Sequence, residues 1–409
     1  MKKRMIALTG LLAITLLTNG MIPASAHSKS FHTGPKAKNV ILIVGDGMGQ
    51  AHRDAIRLHT VGLSGKLAMD KMPVAGFVRT RPADDFLTDS GAAATAMAIG
   101  MKTKRKSIGV DADGKSKETA LEFAKRKGKA TGIVTTGRIT DATTAAFAAH
   151  VESRKQEGEI ARQYIEESQP DVILGGGENF FYPAGVEGRY ADTDESYSQS
   201  EHGDLVEKAK AEGYQYVANA EELDLVRGKK ILGLFANEEM FEAAEEGGSY
   251  EPVVPLADMT KKALQTLSKN RKGFFLVIED EGIDSMSHKN NAAMMLKAGE
   301  QLDAAVDVAR RFAKDNRDTL VIVVGDHETG GLSIEKVDDG DESGDGISQE
   351  DGPFPITGSN EEFTLDWTTK GHTAVNIPLT AMGVGAHRLA GVYENTHIYT
   401  AMIKAMQHR

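Results

Sequence analysis

The sequence predicts an α/β fold, in which a large, mostly parallel central sheet carries helices on both faces. Three short apolar runs, 40–44, 274–278 and 320–324, are each followed by an acidic residue or by Gly-Asp. Such continuous runs are typical of strands buried on both faces, as in a parallel sheet flanked by helices. Further strands are predicted at 130–136 and 172–174.

Helices are predicted between these strands, where apolar residues recur at three- and four-residue spacing. The segments with this pattern are 118–127, 160–167, 259–268 and 292–313. Because strands and helices alternate along the chain, we expect parallel strands joined by crossover helices.

The amino terminus has the three parts of a secretory signal peptide. A basic start at 2–4 precedes an apolar run at 5–17 and an Ala-Ser-Ala cleavage site at 24–26. We therefore expect residues 1–26 to be removed and the mature chain to begin at His27. This predicts export, with the protein secreted, periplasmic or associated with the cell wall. The apolar run is too short to span a bilayer, and no membrane span is expected elsewhere.

The remainder is predicted to form a short mature segment, 27–38, and a single domain, 39–409. Residues 333–370 are rich in Asp, Gly, Ser and Pro and contain the only tryptophan, Trp367. We expect them to form a surface insertion, like a crown on the domain. Within it, 339–350 matches the ligand positions of a calcium loop, although a hydrated acidic loop is the alternative.

Composition excludes several kinds of chemistry. The chain has no cysteine, so disulfides, thiolate zinc sites and thiol catalysis are all excluded, and any metal must be held by His, Asp and Glu. Its formal net charge is -11. Such an acidic chain argues against nucleic acid as a dedicated partner, because binding to a phosphate backbone needs a basic face.

Ser90 is the predicted nucleophile. Thr88 and Asp89 can cap a helix, and the Ala-rich residues that follow are strong helix formers, so Ser90 is expected in the first turn. Backbone N–H groups and the helix dipole favour an oxyanion such as phosphate at that position. Asp-Ser-Gly before a helix is also typical of an ordinary cap, so this prediction depends on the rest of the chain.

Acidic residues lie at the ends of the three central strands, and one of them is followed by histidine. Asp46 follows the first strand, Glu279 ends the second, and Asp326-His327 follows the third. Carboxyl ends of parallel strands are where such sheets build their sites. A single carboxylate there is usually a turn or cap residue, whereas the set together favours a metal site.

A second set of ligands is indicated by the spacing of Asp284 and His288, which are four residues apart and would share one face of a helical turn. Together with His372 they would make a three-ligand zinc site with an open position. Asp46 and the pair Asp326-His327 would hold a second ion. The alternative interpretation is that these histidines are structural.

The chain resembles bacterial alkaline phosphatases from about Asn39 to its end. The order and the spacings of the motifs all fit. The motifs are Val44–Gly49, Thr88–Ala92, Asp141–Thr143 with Ser153–Lys155, Glu279 through Asp284 to His288, Gly325–His327, and Gly371–Thr373. The resemblance implies a metal-dependent phosphate monoester hydrolase that works at alkaline pH through a covalent phosphoserine on Ser90.

The resemblance also implies two Zn²⁺ ions and one Mg²⁺ ion per chain. The first zinc would be bound by Asp284, His288 and His372. The second would be bound by Asp46, Asp326 and His327, with Ser90 joining it. Magnesium would be held by Asp46, Thr143 and Glu279. Two cations about 4 Å apart would neutralise the attacking and leaving oxygens of a phosphate ester.

Arg154 would grip two phosphate oxygens through its planar guanidinium, and Asp141 would lie behind the metal ligands. Asp141 matches one bacterial branch of the family, whereas other branches carry His there, which makes magnesium the expected third ion. Ser285 stands where relatives often have Lys or His, and Thr144 stands where many have Pro. A homodimer is implied, with the insertion near the subunit interface.

Rival functions come from the same superfamily and from outside it. Phosphodiesterases, sulfatases and cofactor-independent phosphoglycerate mutases share parts of the metal frame. The sulfatase motif needs Pro and Arg that Thr88–Ala92 lacks, and a diesterase would be expected to lack the Arg154 and magnesium set. A secreted protein that binds metal or phosphate without turnover is the other class, and Ser90 between the metal sites argues against it.

Overall fold

Three parallel strands at the centre of a large sheet position the candidate site. The structure is a computed structural model, which describes residues 36–193, 197–241, 250, 252–337 and 350–407. The predicted signal peptide, 1–26, most of the segment 27–38, and nearly all of the proposed calcium loop, 339–350, lie outside the described residues. Those predictions stay predictions.

The strands are numbered in chain order. They are β1 (Asn39–Gly45), β2 (Val74–Arg79), β3 (Ala130–Arg138), β4 (Val172–Gly176), β5 (Tyr214–Val217), β6 (Lys230–Leu234), β7 (Phe274–Asp280), β8 (Thr319–Gly325), β9 (Glu328–Thr329), β10 (Leu332–Lys336), β11 (Asp351–Pro355), β12 (Glu362–Trp367), β13 (His372–Thr373), β14 (Ile377–Gly383) and β15 (Gly391–Glu394).

The helices follow the same convention. They are α1 (Gln50–Val61), α2 (Ser90–Ile99), α3 (Ala120–Arg126), α4 (Ala142–Ala148), α5 (Glu157–Gln163, continued by a π-helical turn Tyr164–Ser168), α6 (Leu205–Ala211), α7 (Ala220–Leu225), α8 (Leu256–Leu267), α9 (Gly282–Ser287), α10 (Ala292–Asp315) and α11 (Thr396–Met406).

The central sheet has ten strands in the order β15-β2-β14-β8-β1-β7-β3-β4-β6-β5. β14 runs antiparallel to both of its neighbours, and the other neighbouring pairs described in this sheet are parallel. The predicted α/β fold with a mostly parallel sheet is therefore confirmed. The described residues belong to one compact unit.

Both faces of the sheet are buried, as the continuous apolar runs predict. Val40, Leu42 and Val44 of β1 pack into the core that contains α2, α4 and α11. Ile41 and Ile43 point the other way, into the core that contains α1, α8 and α10. A strand with apolar residues at every position therefore supplies two cores at once.

The insertion at 333–370 contributes to an antiparallel sheet in the order β10-β12-β11. It is not wholly superficial, because Trp367 is fully buried and its ring lies 6.1 Å from that of His52 in α1. Burial of so large a side chain anchors the base of the insertion on the second core.

Across the described residues, no helix combines the length and the apolar character that crossing a bilayer requires.

Candidate active site

The acidic strand ends meet because β1 lies between β7 and β8. In the register of these parallel strands, Val44 is opposite Glu279 and Gly45 is opposite Gly325. Asp46 and Asp326 therefore leave adjacent strands at the same level, and Glu279 lies beside them. All three carboxylates are at most 3% exposed.

Ser90 begins α2, as the sequence predicts, and its residue is 3% exposed. Asp89 is the N-cap, and its Oδ1 accepts a hydrogen bond from the N–H of Ala92 at 3.3 Å. The small side chains of α2 are all buried, which brings this helix close to α4 and α11. Packing thus fixes the helix end that presents the Ser90 hydroxyl.

His327 brings the serine and two carboxylates together. Its Nε2 lies 3.2 Å from Ser90 Oγ and 3.3 Å from both Asp46 Oδ1 and Asp326 Oδ2. Those two carboxylate oxygens are buried and have no hydrogen-bond partner among the described residues. A nitrogen, a hydroxyl and two carboxylate oxygens without partners form a donor set that suits a divalent cation.

Several buried carboxyl groups lie close together here, and burial and their mutual repulsion shift their pKa values. Burial raises the pKa of Asp46 well above its usual range, and the charges of Asp326 and Asp284 raise it further. Burial likewise raises the pKa of Asp326 to about 7, with Asp284 adding to the effect. Burial lowers the pKa of His327, which favours a neutral imidazole that can bind a cation.

The second predicted ligand set is also assembled. His288 Nε2 lies 3.2 Å from Asp284 Oδ2 and 3.1 Å from His372 Nε2, and His372 Nε2 lies 3.7 Å from Asp284 Oδ1. The opposite ring nitrogens are held by backbone carbonyls. His288 Nδ1 is 2.5 Å from the carbonyl oxygen of Lys370, and His372 Nδ1 is 2.9 Å from that of Thr88. Each carbonyl orients its imidazole so that Nε2 faces Asp284.

Asp284 keeps a charged carboxylate despite its burial. Burial alone would raise its pKa, but the hydrogen bond from His288 and the charges of His327, His288 and His372 lower it below the usual range. Asp284 Oδ1 also lies 3.9 Å from His327 Nδ1. Asp46, Asp284 and His327 are therefore close enough to hold one ion together. The sequence predicts Asp326 rather than Asp284 as a ligand beside Asp46 and His327. Asp326 Oδ2 lies 3.3 Å from His327 Nε2, the ring nitrogen that Asp46 also approaches, whereas Asp284 approaches Nδ1.

Thr143 and Glu279 lie on the far side of Asp46. The Thr143 hydroxyl donates to Asp46 Oδ2 at 3.5 Å, and Glu279 is 2% exposed. Burial raises the pKa of Glu279 to about 8, the hydroxyls of Thr135 and Thr143 oppose the rise, and the charges of Asp141 and Asp326 add to it. The predicted magnesium ligands thus share one carboxylate, Asp46, with the group at His327.

Arg154 is held between two helix caps. Its Nη2 donates to Asp141 Oδ1 at 2.6 Å, and its Nη1 lies 3.5 Å from Asp89 Oδ2. Asp141 and Asp89 are the N-caps of α4 and α2, so the guanidinium is fixed relative to Ser90. The Arg154 side chain is 25% exposed, which leaves part of it accessible to a substrate.

Comparisons with known proteins agree on one family. The family model described as alkaline phosphatase matches residues 37–351. Alkaline phosphatase 3 of Bacillus subtilis is 32% identical over 98% of this chain and 96% of its own length. The Escherichia coli alkaline phosphatase is 33% identical over 90% of this chain and 86% of its own.

A solved structure shows the same relationship. A mutant of the alkaline phosphatase from the bacterium TAB5, described with Mg bound in its M3 site, superposes with a TM-score of 0.74. It is 28% identical and covers 92% of this chain and 99% of that one. The chain belongs to the alkaline phosphatase family. It is therefore a phosphatase, and the family supports hydrolysis of phosphate monoesters.

Two features of this alkaline phosphatase site were not predicted from the sequence. The Thr329 hydroxyl donates to Asp284 Oδ1 and lies 3.2 Å from His327 Nδ1. It therefore links one member of each predicted zinc ligand set. Glu281 is buried beside Glu279, and within the part of the chain that the structure describes its Oε2 has no hydrogen-bond partner. Glu281 lies inside the predicted motif from Glu279 to His288, and Thr329 lies two residues after His327, but no spacing or composition signal marked either residue itself.

Proposed function

We propose that this alkaline phosphatase hydrolyses phosphate monoesters through a covalent phosphoserine at Ser90. The observation that carries the proposal is the position of the Ser90 hydroxyl, 3.2 Å from His327 Nε2 at the buried end of α2. In the proposed reaction a bond forms between Ser90 Oγ and phosphorus while the bond from phosphorus to the ester oxygen breaks. Water then hydrolyses the phosphoserine and releases inorganic phosphate.

Two zinc ions and one magnesium ion would be held by the predicted ligands, and the buried oxygens of Asp46 and Asp326 without partners support that fit. The zinc sets are Asp284, His288 and His372, and Asp46, Asp326 and His327. The magnesium set is Asp46, Thr143 and Glu279. When bound, such cations lower the pKa of a hydroxyl and neutralise charge on the reacting oxygens. The Mg-bound TAB5 mutant supports magnesium as the third ion.

The chain's own residues would position the substrate. Asp89 and Asp141 hold the Arg154 guanidinium in one orientation, from which its parallel N–H groups can bind two phosphate oxygens. The amino end of α2 directs its dipole towards the same point. Together these groups would place phosphorus in line with Ser90 Oγ.

Export and assembly are also part of the proposal. The amino-terminal pattern of a signal peptide supports export to the periplasm, the cell wall or the medium, and sequencing of the mature amino terminus should find His27 first.

Family membership supports a homodimer. Light scattering by the purified chain tests it, and a mass of one chain would contradict it.

The nucleophile is tested by Ser90→Ala, with Ser333→Ala on β10 as the control. Acid quenching during turnover of a ³²P-labelled monoester should trap labelled protein in the wild type and in the control, and none in Ser90→Ala. Turnover by Ser90→Ala should fall by about 10³-fold or more, because only slow direct hydrolysis remains. Near-normal turnover by Ser90→Ala would refute the proposed nucleophile.

Arg154→Ser separates a monoesterase from a diesterase, and Lys155→Ser at the neighbouring residue is its control. A bidentate contact to a dianion is commonly worth about 2–4 kcal/mol, so kcat/KM for a monoester should fall by roughly 30- to 1000-fold. A diester carries one negative charge instead of two, so its contact with Arg154 is weaker and its kcat/KM should fall much less. Equal losses on a matched monoester and diester would show that Arg154 does not recognise the dianion.

A further inference from the structure

The strands that carry the site are preceded by basic residues at their opposite ends. Lys36 and Lys38 precede β1, Lys127 and Lys129 precede β3, and Arg271 and Lys272 precede β7. Because β1, β7 and β3 are adjacent and parallel, their amino ends meet at one edge of the sheet. The ends that carry Asp46 and Glu279 form the other edge.

These six side chains line one cavity of about 330 Å³, which we call the basic pocket. Its floor is formed by Lys129, which is only 5% exposed. The Lys129 ammonium donates to the carbonyl oxygen of Lys38 at 2.6 Å and to that of Lys272 at 2.8 Å. It therefore joins the segments before β1, β3 and β7, and one of its three N–H donors remains for another acceptor.

The positive charge of the basic pocket is only partly offset, because the carboxylate of Asp318 lies near Lys129. Within the described part of the chain, none of its six cations forms an ion pair. Burial lowers the pKa of Lys129 to about 8, and the charges of Lys36 and Lys38 contribute, while Asp318 opposes them. Such a concentration of positive charge is unexpected in a chain whose net charge is -11.

We infer that the basic pocket is a second anion site, separate from the active site, and that it binds a small anion carrying two or more phosphate groups. Five lysines and one arginine from three segments converge on it, and ammonium groups bind phosphate as point charges from several directions. The enclosed floor at Lys129 fits a compact anion rather than a long polymer. Occupation would offset the repulsion among the six cations and strengthen the link between the strand ends.

The probe is ¹⁴C-labelled methylenebisphosphonate, because its P–C–P linkage resists hydrolysis by a phosphatase. Equilibrium dialysis with the metal-loaded enzyme counts the sites that it occupies. Competitive inhibition of monoester hydrolysis measures binding at the active site alone. The test variant is the double substitution Lys36→Gln and Lys272→Gln, and the control is Lys297→Gln with Lys404→Gln, two exposed lysines on α10 and α11.

The wild type and the control should bind one more equivalent of probe than the active site accounts for. In the pocket variant the extra site should weaken by about 10-fold or more, with an unchanged inhibition constant at the active site. Raising salt should weaken the extra site. Equal numbers and affinities of sites in both variants would overturn the inference. Binding of citrate as tightly as the bisphosphonate would refute the preference for phosphate.

If the double substitution prevents folding, a second double variant, Lys127→Gln with Arg271→Gln, provides the same comparison. Both residues are exposed and belong to the same pocket. Loss of the extra site in this variant supports the inference, and its retention at full affinity contradicts it. Proton uptake on binding near pH 8 provides an independent readout, because an anion beside Lys129 would raise the lowered pKa of its ammonium.

Discussion

The Thr329 hydroxyl contacts one residue from each of the two proposed zinc sets, Asp284 and His327. It donates to Asp284 and lies 3.2 Å from His327 Nδ1, and the residue is fully buried. A buried hydroxyl between two proposed metal ligands would fix the orientation of both. In the proposed zinc sites the Thr329 side chain would act through Asp284 and His327 rather than by direct contact with a metal.

Thr329→Val should therefore weaken metal binding with little change in packing, because valine has nearly the same shape as threonine. We expect zinc affinity to fall by about 10-fold or more, measured by competition with a chelator. Thr260→Val is the control, since Thr260 is also fully buried, lies on α8 and has a hydroxyl that bonds to none of the described residues. Unchanged zinc affinity in Thr329→Val would show that the hydroxyl does not orient the ligands.

Some of the proposed ligands could be predicted because they have a local signal in the sequence. Asp46 and Asp326 follow apolar strands, and Asp284 and His288 share a helical spacing. The contacts of Arg154 with Asp89 and Asp141 had no such signal, because they join the caps of two helices that are distant in sequence. The approach of Asp284 to His327 likewise depends on how α9 packs beside β9.

At the scale of elements, His150 connects three segments of the chain, containing Gly109, Glu122 and Gln163. Its Nε2 lies 2.9 Å from Glu122 of α3, and its Nδ1 lies 2.7 Å from the carbonyl oxygen of Gly109. The backbone N–H of His150 donates to Gln163 Oε1 of α5 at 2.7 Å. These contacts brace the chain four residues before Arg154.

The ion pair of His150 with Glu122 should make stability depend on pH. Burial opposes the rise, but the Glu122 hydrogen bond and charge raise the pKa of His150. Burial would raise the pKa of Glu122, yet His150 lowers it. The contribution of Glu122 is present above its unfolded pKa, near 4.5, and is lost in acid. That of His150 is complete below pH 6.5 and is lost as pH rises through its higher folded pKa.

His150→Gln should therefore cost about 1 kcal/mol at pH 6 and less at pH 9. The measurement is the midpoint of thermal unfolding at both pH values, with the exposed His387→Gln as the control. An equal loss at pH 6 and pH 9 would mean that the pair stabilises the fold only as a neutral hydrogen bond.

Element types were easier to predict than element limits and packing. The helix expected at 292–313 is α10, Ala292–Asp315, and the one expected at 160–167 begins earlier, at Glu157, and ends in a π-helical turn. The antiparallel direction of β14 and the burial of Trp367 had no local pattern. Both arise from contacts between parts of the chain that are far apart in sequence.

At the scale of the whole molecule, the candidate active site is a cluster of buried carboxyl groups at one end of the sheet. Burial, with the charges of neighbouring carboxylates, raises the pKa of Asp326 to about 7 and that of Glu279 to about 8. The ordinary values are 3.8 and 4.5. Without metal, the folded chain therefore holds protons that the unfolded chain releases.

The metal-free protein should consequently lose stability as pH rises from about 4 to about 8, because the unfolded state binds fewer protons than the folded state throughout that interval. Bound cations would take the place of those protons and remove most of this dependence. Thermal unfolding of chelator-treated protein should show a midpoint lower by at least about 5 °C at pH 8.5 than at pH 5. Reloading with zinc and magnesium should flatten the profile.

Glu279→Gln should also reduce the dependence of the unfolding midpoint on pH in metal-free protein, since it removes one of the carboxyl groups that must ionise. Parallel profiles for the metal-free and reloaded proteins would show that these carboxylates do not control stability.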